Sequence, residues 1–235
     1  AAVDAVEPRD AHVVRVGKAV PRVRGESAIE RPGSGHAPIL SQLRVVILPD
    51  PMQSALLRGA DHGVIGEIAS IAEGSAAIAL SRGGARKTYP HRDPNEDTAA
   101  FAFSDWGALA IVADAHAGCT AAEVAVRRLL SFHAPRWLAP APIGLDARFG
   151  GEAAEVAADL NAEVLRATTG SPRDGSRTTL ALALVRPRDG WLAALCVGDS
   201  HVFRADAGGP QARELAPMDA RAAIFLGDPG LSRER

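Results

Sequence analysis

Three short acidic clusters hold the residue types that phosphate chemistry needs. Asn95-Glu96-Asp97 sets two carboxylates side by side, with Arg92 four residues before Glu96. Carboxylates are hard oxygen donors suited to Mg²⁺ or Mn²⁺, and an arginine fork fits phosphate oxygens. Val112-Ala113-Asp114-Ala115-His116-Ala117-Gly118 puts Asp114 where an apolar run ends. His116, two residues on, can pass a proton near neutral pH. Val197-Gly198-Asp199-Ser200 again places an aspartate at the end of an apolar run. Singly, each cluster has an ordinary reading: a solvated polar loop, a turn aspartate with an incidental histidine, an aspartate in a strand-to-strand turn. Together they suit a divalent-metal phosphohydrolase, in which bound ions lower the pKa of water and clamp the phosphoryl oxygens.

The elements that must position these clusters are legible from residue 75 onward. Ala76–Ser81 is a short apolar run, and Ala99–Phe103 and Ala108–Ala113 flank the turn signal Asp105-Trp106-Gly107, which predicts a hairpin. Thr120-Ala121-Ala122-Glu123 fits a capping box. Ala122, Ala125, Val126, Leu129 and Leu130 follow at helical spacing, so a helix is expected over 120–132. The stretch 134–149, with Pro135, Pro140 and Pro142, reads as a connection. A second helix is expected over 151–168, with Val156, Leu160 and Val164 on one face and Gly170 as a stop. Thr178–Val185 and Trp191–Val197 are nearly continuous in apolar residues around Pro187-Arg188-Asp189-Gly190. They read as a hairpin with both faces covered. His201–Arg204 follows as a third strand candidate. Helices in a block between blocks of strands imply a layered α+β fold.

Before residue 75 the pattern is weaker. Arg31–Pro38 is rich in breakers, Leu43–Leu48 reads as a short strand, and Met52–Leu57 as a short helix. Residues 1–74 are therefore expected to be an extension or linker, partly disordered, and 75–235 the domain. The 235 residues are 47% hydrophobic and 23% charged, which excludes a wholly disordered chain, and the net charge of −2 argues against a nucleic-acid binder driven by bulk charge. At 4% aromatic, the core must be built from Ala, Val and Leu. Two isolated cysteines, Cys119 and Cys196, form neither a disulfide framework nor a thiolate metal site. No apolar run reaches the roughly 18 residues of a membrane span. A cytoplasmic location is expected; oligomeric state is left open. Residue 1 is Ala and the first Met is Met52, so a fragment or processed chain is expected.

In this order the motifs resemble those of the metal-dependent serine/threonine protein phosphatases of type 2C, over about residues 75–230. Asn95-Glu96-Asp97 looks like that family's first acidic motif, with Arg92 placed like its phosphate-binding arginine. Val112–Gly118 followed by Glu123 looks like its Asp-Gly-His-Gly-Gly segment and the helix after it. Thr178-Thr179-Leu180, then Gly190 to Val197, then Gly198-Asp199-Ser200, resembles its paired central strands and Gly-Asp-Ser turn. The resemblance implies a four-layer α-β-β-α sandwich, incomplete at its C-terminal end. It implies two Mg²⁺ or Mn²⁺ ions, with a third near Asp199, and a phosphorylated protein as substrate. Carried over by position, Asp114 would bridge the ions and the Ala115 carbonyl would ligate one. Glu96 and Asp97 would hold ions or their waters, and Asp199 would support the cluster. Arg92 would bind phosphate, and His116 would protonate the leaving oxygen.

Two departures stand out. Ala115 replaces a glycine, which costs on the order of 1 kcal/mol or more if its φ is positive; Ala117 is a milder change. The family's later aspartates have no match after Asp199, since Asp219 and Asp228 sit in other contexts. That absence favours a truncated copy of a longer protein. It also keeps a rival in play, a catalytically degenerate phosphatase-like module that binds a partner. A calcineurin-like metallophosphoesterase is a weaker rival, because Gly198-Asp199-Ser200-His201 lacks its second aspartate. Cys119 sits where a helix start could stabilise a thiolate, but its context offers no activating partner other than His116.

Overall fold

The computed structural model describes residues 12–15, 52–84, 91, 93–140, 149–172, 175–205, 211–215 and 224–231. Arg92, Asp219, the expected strand at 43–48 and the breaker-rich stretch at 31–38 lie outside the described residues. In chain order the strands are β1 (His12–Arg15), β2 (Gln53–Arg58), β3 (Ile68–Glu73), β4 (Ala76–Ser81), β5 (Thr98–Ser104), β6 (Gly107–Ala113) and β7 (Ala115–His116). Helices α1 (Thr120–Arg128), α2 (Ala134–Trp137) and α3 (Phe149–Thr168) follow. The chain then forms β8 (Arg177–Thr178), β9 (Leu180–Arg186), β10 (Trp191–Val197), β11 (Phe203–Ala205) and β12 (Ala212–Glu214).

One six-stranded sheet, ordered β1-β10-β9-β6-β5-β2, organises the molecule, and every neighbouring pair in it is antiparallel. Both expected hairpins are present: Thr98–Ser104 pairs with Gly107–Ala113, and Leu180–Arg186 with Trp191–Val197. The two edge strands come from the segment before residue 75. Met52–Leu57 is not a helix. Its alternation puts Ala55 and Leu57 on one face and Leu56 on the other, and β5 completes its backbone hydrogen bonding.

The near-continuous apolar strands are covered on both faces along most of their length, with Val185 of β9 exposed. Leu109, Ile111, Leu180, Leu182, Leu184 and Leu195 point to the helical side, against Ala122, Ala125, Val126, Leu129, Val156, Leu160 and Val164. On the opposite face the β3–β4 hairpin packs Ile78 and Leu80 on Leu57, Ala99 and Phe101. Beside it, Val202 and Leu215 at the foot of the β11–β12 hairpin cover Ala181, Leu192, Ala194 and Cys196. Between these hairpins, among the described residues, Val112 is 45% exposed.

The first helical block outruns the expected 120–132. Five residues of π-helix, Leu129–His133, join α1 to α2, and the Ala134 N–H bonds Leu129 O, five residues back. Pro135 explains this: it has no N–H to donate and its ring crowds the preceding turn, so the helix widens instead of ending. Trp137 is thereby carried into the core, where its indole N–H donates to Glu152 (2.8 Å). Among the described residues no helix is long and apolar enough to cross a membrane.

Candidate active site

Strand register brings the three acidic clusters to one end of the sheet. Thr98 pairs with Ala113, so Asp97 and Asp114 stand next along the same ladder, before β5 and after β6. Val112 pairs with Ala181, and the ladder continues as Thr179 N–H donates to Asp114 O (2.9 Å). Val197 pairs with Leu180, which puts Asp199 just past the same end of β10. With strands about 4.8 Å apart, Asp97 lies one strand from Asp114 and Asp199 two strands away on the other side.

The Asp114 backbone is held by two threonines. Thr179 Oγ1 accepts from Asp114 N–H (3.1 Å), and Thr178 Oγ1 donates to Asp114 O (3.0 Å). Thr179 Oγ1 also shares a hydrogen bond with Ser200 Oγ (2.6 Å), tying the Gly198-Asp199-Ser200 turn to Asp114. Gly198 is required there: its φ is +84°, and a Cβ would meet Thr179 Cγ2 at 2.8 Å. The Asp114 side chain is 52% exposed, and its Oδ1 lies 3.6 Å from His116 Nδ1. His116 sits 5.5 Å from the Phe225 ring, centroid to centroid.

The acidic loop is built from within. Asp97 N–H donates to Asn95 Oδ1 (3.3 Å), and Gly59 N–H donates to Asp97 O (2.7 Å). A Cβ on residue 59 would sit 2.6 Å from that carbonyl, so the approach needs Gly59, a residue without any local sequence signal. Glu96 is fully buried and its Oε1 accepts from Asp93 N–H (3.3 Å), so its carboxylate braces the loop. Asp93 Oδ2 accepts from Cys119 N–H (3.0 Å), which links this loop to the start of α1.

One expectation is corrected at that helix start. Thr120 and Glu123 make no capping box: Cys119 is the N-cap, without a side-chain cap bond. Asp93 and Ser176 supply the missing acceptors, Ser176 Oγ taking Ala121 N–H (3.2 Å) while donating to Gly118 O (2.7 Å). The positive φ that would have strained Ala115 is not found there. Ala115 is extended and paired with Thr178, whereas Ala117 has φ of 63°. Burial, then Asp93 and Glu123, push the Cys119 thiol up to about 12, which disfavours the thiolate.

Among the described residues no three His, Cys, Asp or Glu side chains are gathered closely enough to cage an ion by themselves. Asp228, which the sequence reading set aside, caps a local turn by accepting from Phe225 N–H (3.0 Å).

No family model matches the chain, and no curated protein matches it. It is similar to a solved structure, the crystal structure of a bacterial serine phosphatase bearing an arginine-to-alanine mutation. The identity is 22% and the TM-score 0.45, over 60% of this chain and 62% of that one. The chain thus spans less than two thirds of that phosphatase.

Proposed function

We propose that this chain is a metal-dependent phosphatase that hydrolyses phosphoserine or phosphothreonine in proteins, built on a four-layer α-β-β-α sandwich. One observation carries the reading: Asp97 and Asp114 flank each other at the ends of paired strands, with His116 3.6 Å from Asp114. Two carboxylates one strand apart suit Mg²⁺ or Mn²⁺, since the Mg²⁺ class keeps several waters and needs only one or two protein carboxylates beside substrate phosphate. Asp97, Asp114 and the Ala115 carbonyl would hold the ions, with Asp199 at the margin. When bound, they supply an acidified water and charge neutralisation at the phosphoryl group.

The chain's own residues do the remainder. The threonine pair keeps Asp114 at the open end of the sheet, where a protein-borne phosphate can reach it. His116, 38% exposed beside Asp114, donates the proton that the leaving seryl or threonyl oxygen requires. Arg92 is assigned to the phosphate from the sequence alone.

The test is Mn²⁺-dependent hydrolysis of p-nitrophenyl phosphate with an EDTA control. Turnover that EDTA and Asp114→Ala both abolish is expected, and unchanged turnover in Asp114→Ala would sink the assignment. His116→Ala should slow alkyl esters more than aryl esters, because an aryl leaving group needs less protonation; equal losses would remove the acid role. A second reading, a phosphatase-like module that binds without hydrolysing, is favoured by the buried Glu96 and by the lack of a three-residue cage among the described residues. A folded chain that binds phosphopeptide but turns nothing over would select it.

A further inference from the structure

The candidate site has an arginine on its rim that no carboxylate of the described residues answers. Arg177 stands opposite His116 in the β7–β8 ladder and is exposed. Its guanidinium carbon lies 5.0 Å from the centroid of the Phe225 ring, the same ring that meets His116 at 5.5 Å. Other arginines of this chain are spent on its own acids: Arg58 on Asp61, Arg127 on Glu123, Arg128 on Asp159 and Arg186 on Asp189.

The platform beneath Arg177 is fixed in advance. Leu226 and Thr178 exchange two backbone hydrogen bonds of 2.9 Å. Asn161 on α3, itself buried, accepts from Gly227 N–H (2.6 Å) and donates to Asp228 O (3.1 Å). Phe225 is thereby anchored to the helical layer. An aromatic face occupies the flat side of a guanidinium and leaves its edge N–H groups free, and that edge is the part that takes a carboxylate or phosphate in two parallel bonds.

We propose that Arg177, held on Phe225 beside His116, is a specificity-determining residue that grips an anionic group of the substrate. This rests on the phosphatase reading, which makes the anion either the scissile phosphoryl group or an acidic side chain flanking it.

The experiment uses two fluorescent phosphothreonine peptides, one flanked by Asp and Glu, the other by Asn and Gln. Binding to the full chain is read by anisotropy, alongside Mn²⁺-dependent turnover. Arg177→Ala should weaken the acidic peptide roughly tenfold, in a salt-sensitive way. Arg177→Lys should recover part of that loss, and Phe225→Leu should give an intermediate one. If the anion is a flanking acid, the wild-type preference for the acidic peptide collapses towards one in Arg177→Ala. If it is the phosphoryl group, both peptides lose affinity alike. Equal affinities of wild type and a folded Arg177→Ala for both peptides overturn the proposal. The two readings fail separately: Arg177-dependent binding without turnover removes the hydrolase, and turnover with Arg177-independent binding removes only the grip.

Discussion

Ala117 is the one residue other than glycine with a positive φ among those described, at 63°, and Gly118 follows at 116°. An L-residue in that region costs about 1–2 kcal/mol. A glycine there also loses more entropy on folding, which offsets part of the gain. Ala117→Gly should therefore raise stability by roughly 0.5–1 kcal/mol, read as a higher urea midpoint with an unchanged slope. A midpoint that stays or falls would mean that the loop accommodates Ala117 without strain. The sequence located the site loop and flagged Ala115 only on the condition of a positive φ; it could not say where φ turns positive, because φ at a loop residue depends on which neighbours pair. Ala115 is drawn into a two-residue ladder with β8, and the reversal falls two positions later.

The helices show what periodicity can and cannot report. The apolar spacing of 120–132 and 151–168 located α1 and α3, because burial of one face is a local pattern. How the first helix is capped and where it ends came from elsewhere, through Asp93, Ser176 and the π-turn before Pro135. The π-turn places His133 where its Nε2 meets Asp159 Oδ2 of α3 (2.9 Å), and Arg128 forks onto the same carboxylate with two bonds of 2.9 Å. Arg128 first, then His133, hold the Asp159 carboxyl below its ordinary range, against the opposing effect of burial. A depressed carboxylate contributes stability that is full above the unfolded value, near pH 4, and is lost as pH falls through the folded value. Asp159→Asn should cost about 1–2 kcal/mol at pH 7, given its partial exposure. The gap between the two proteins should hold steady down to about pH 5 and close below pH 4. A gap that persists at pH 3 in urea titrations would show that the contact is not carried by charge.

At the scale of the molecule, the segment 224–231 clasps the layers together. Asn161 on α3 bonds Gly227, Asp228 and Leu231, while Leu226 bridges to Thr178 beside the candidate site. Asn161→Ala removes all three side-chain bonds and leaves backbone groups unanswered in a buried place, which should cost about 1–3 kcal/mol. Faster chymotryptic cleavage after Phe225 should accompany that loss. Unaltered cleavage would mean that Leu226 and the Asp228 turn hold the segment without help. Asn161 had no sequence signal, because a polar residue on the buried face of a helix shows its purpose only once its partner docks.

The order of the acidic clusters, the two hairpins, the covered faces of β9 and β10 and the helical blocks could all be read along the chain. Each depends on how near neighbours partition between water and core, and that is written at a spacing of two or three to four residues. The strand order β1-β10-β9-β6-β5-β2 could not be read that way, nor the juxtaposition of Asp97 with Asp114, the Ser176 cap, or the shared Phe225 platform under His116 and Arg177. Backbone amides and carbonyls are alike in every strand, so the sequence offers many near-equivalent pairings. The choice among them is made by the packing of whole faces, and the candidate site is a product of that choice.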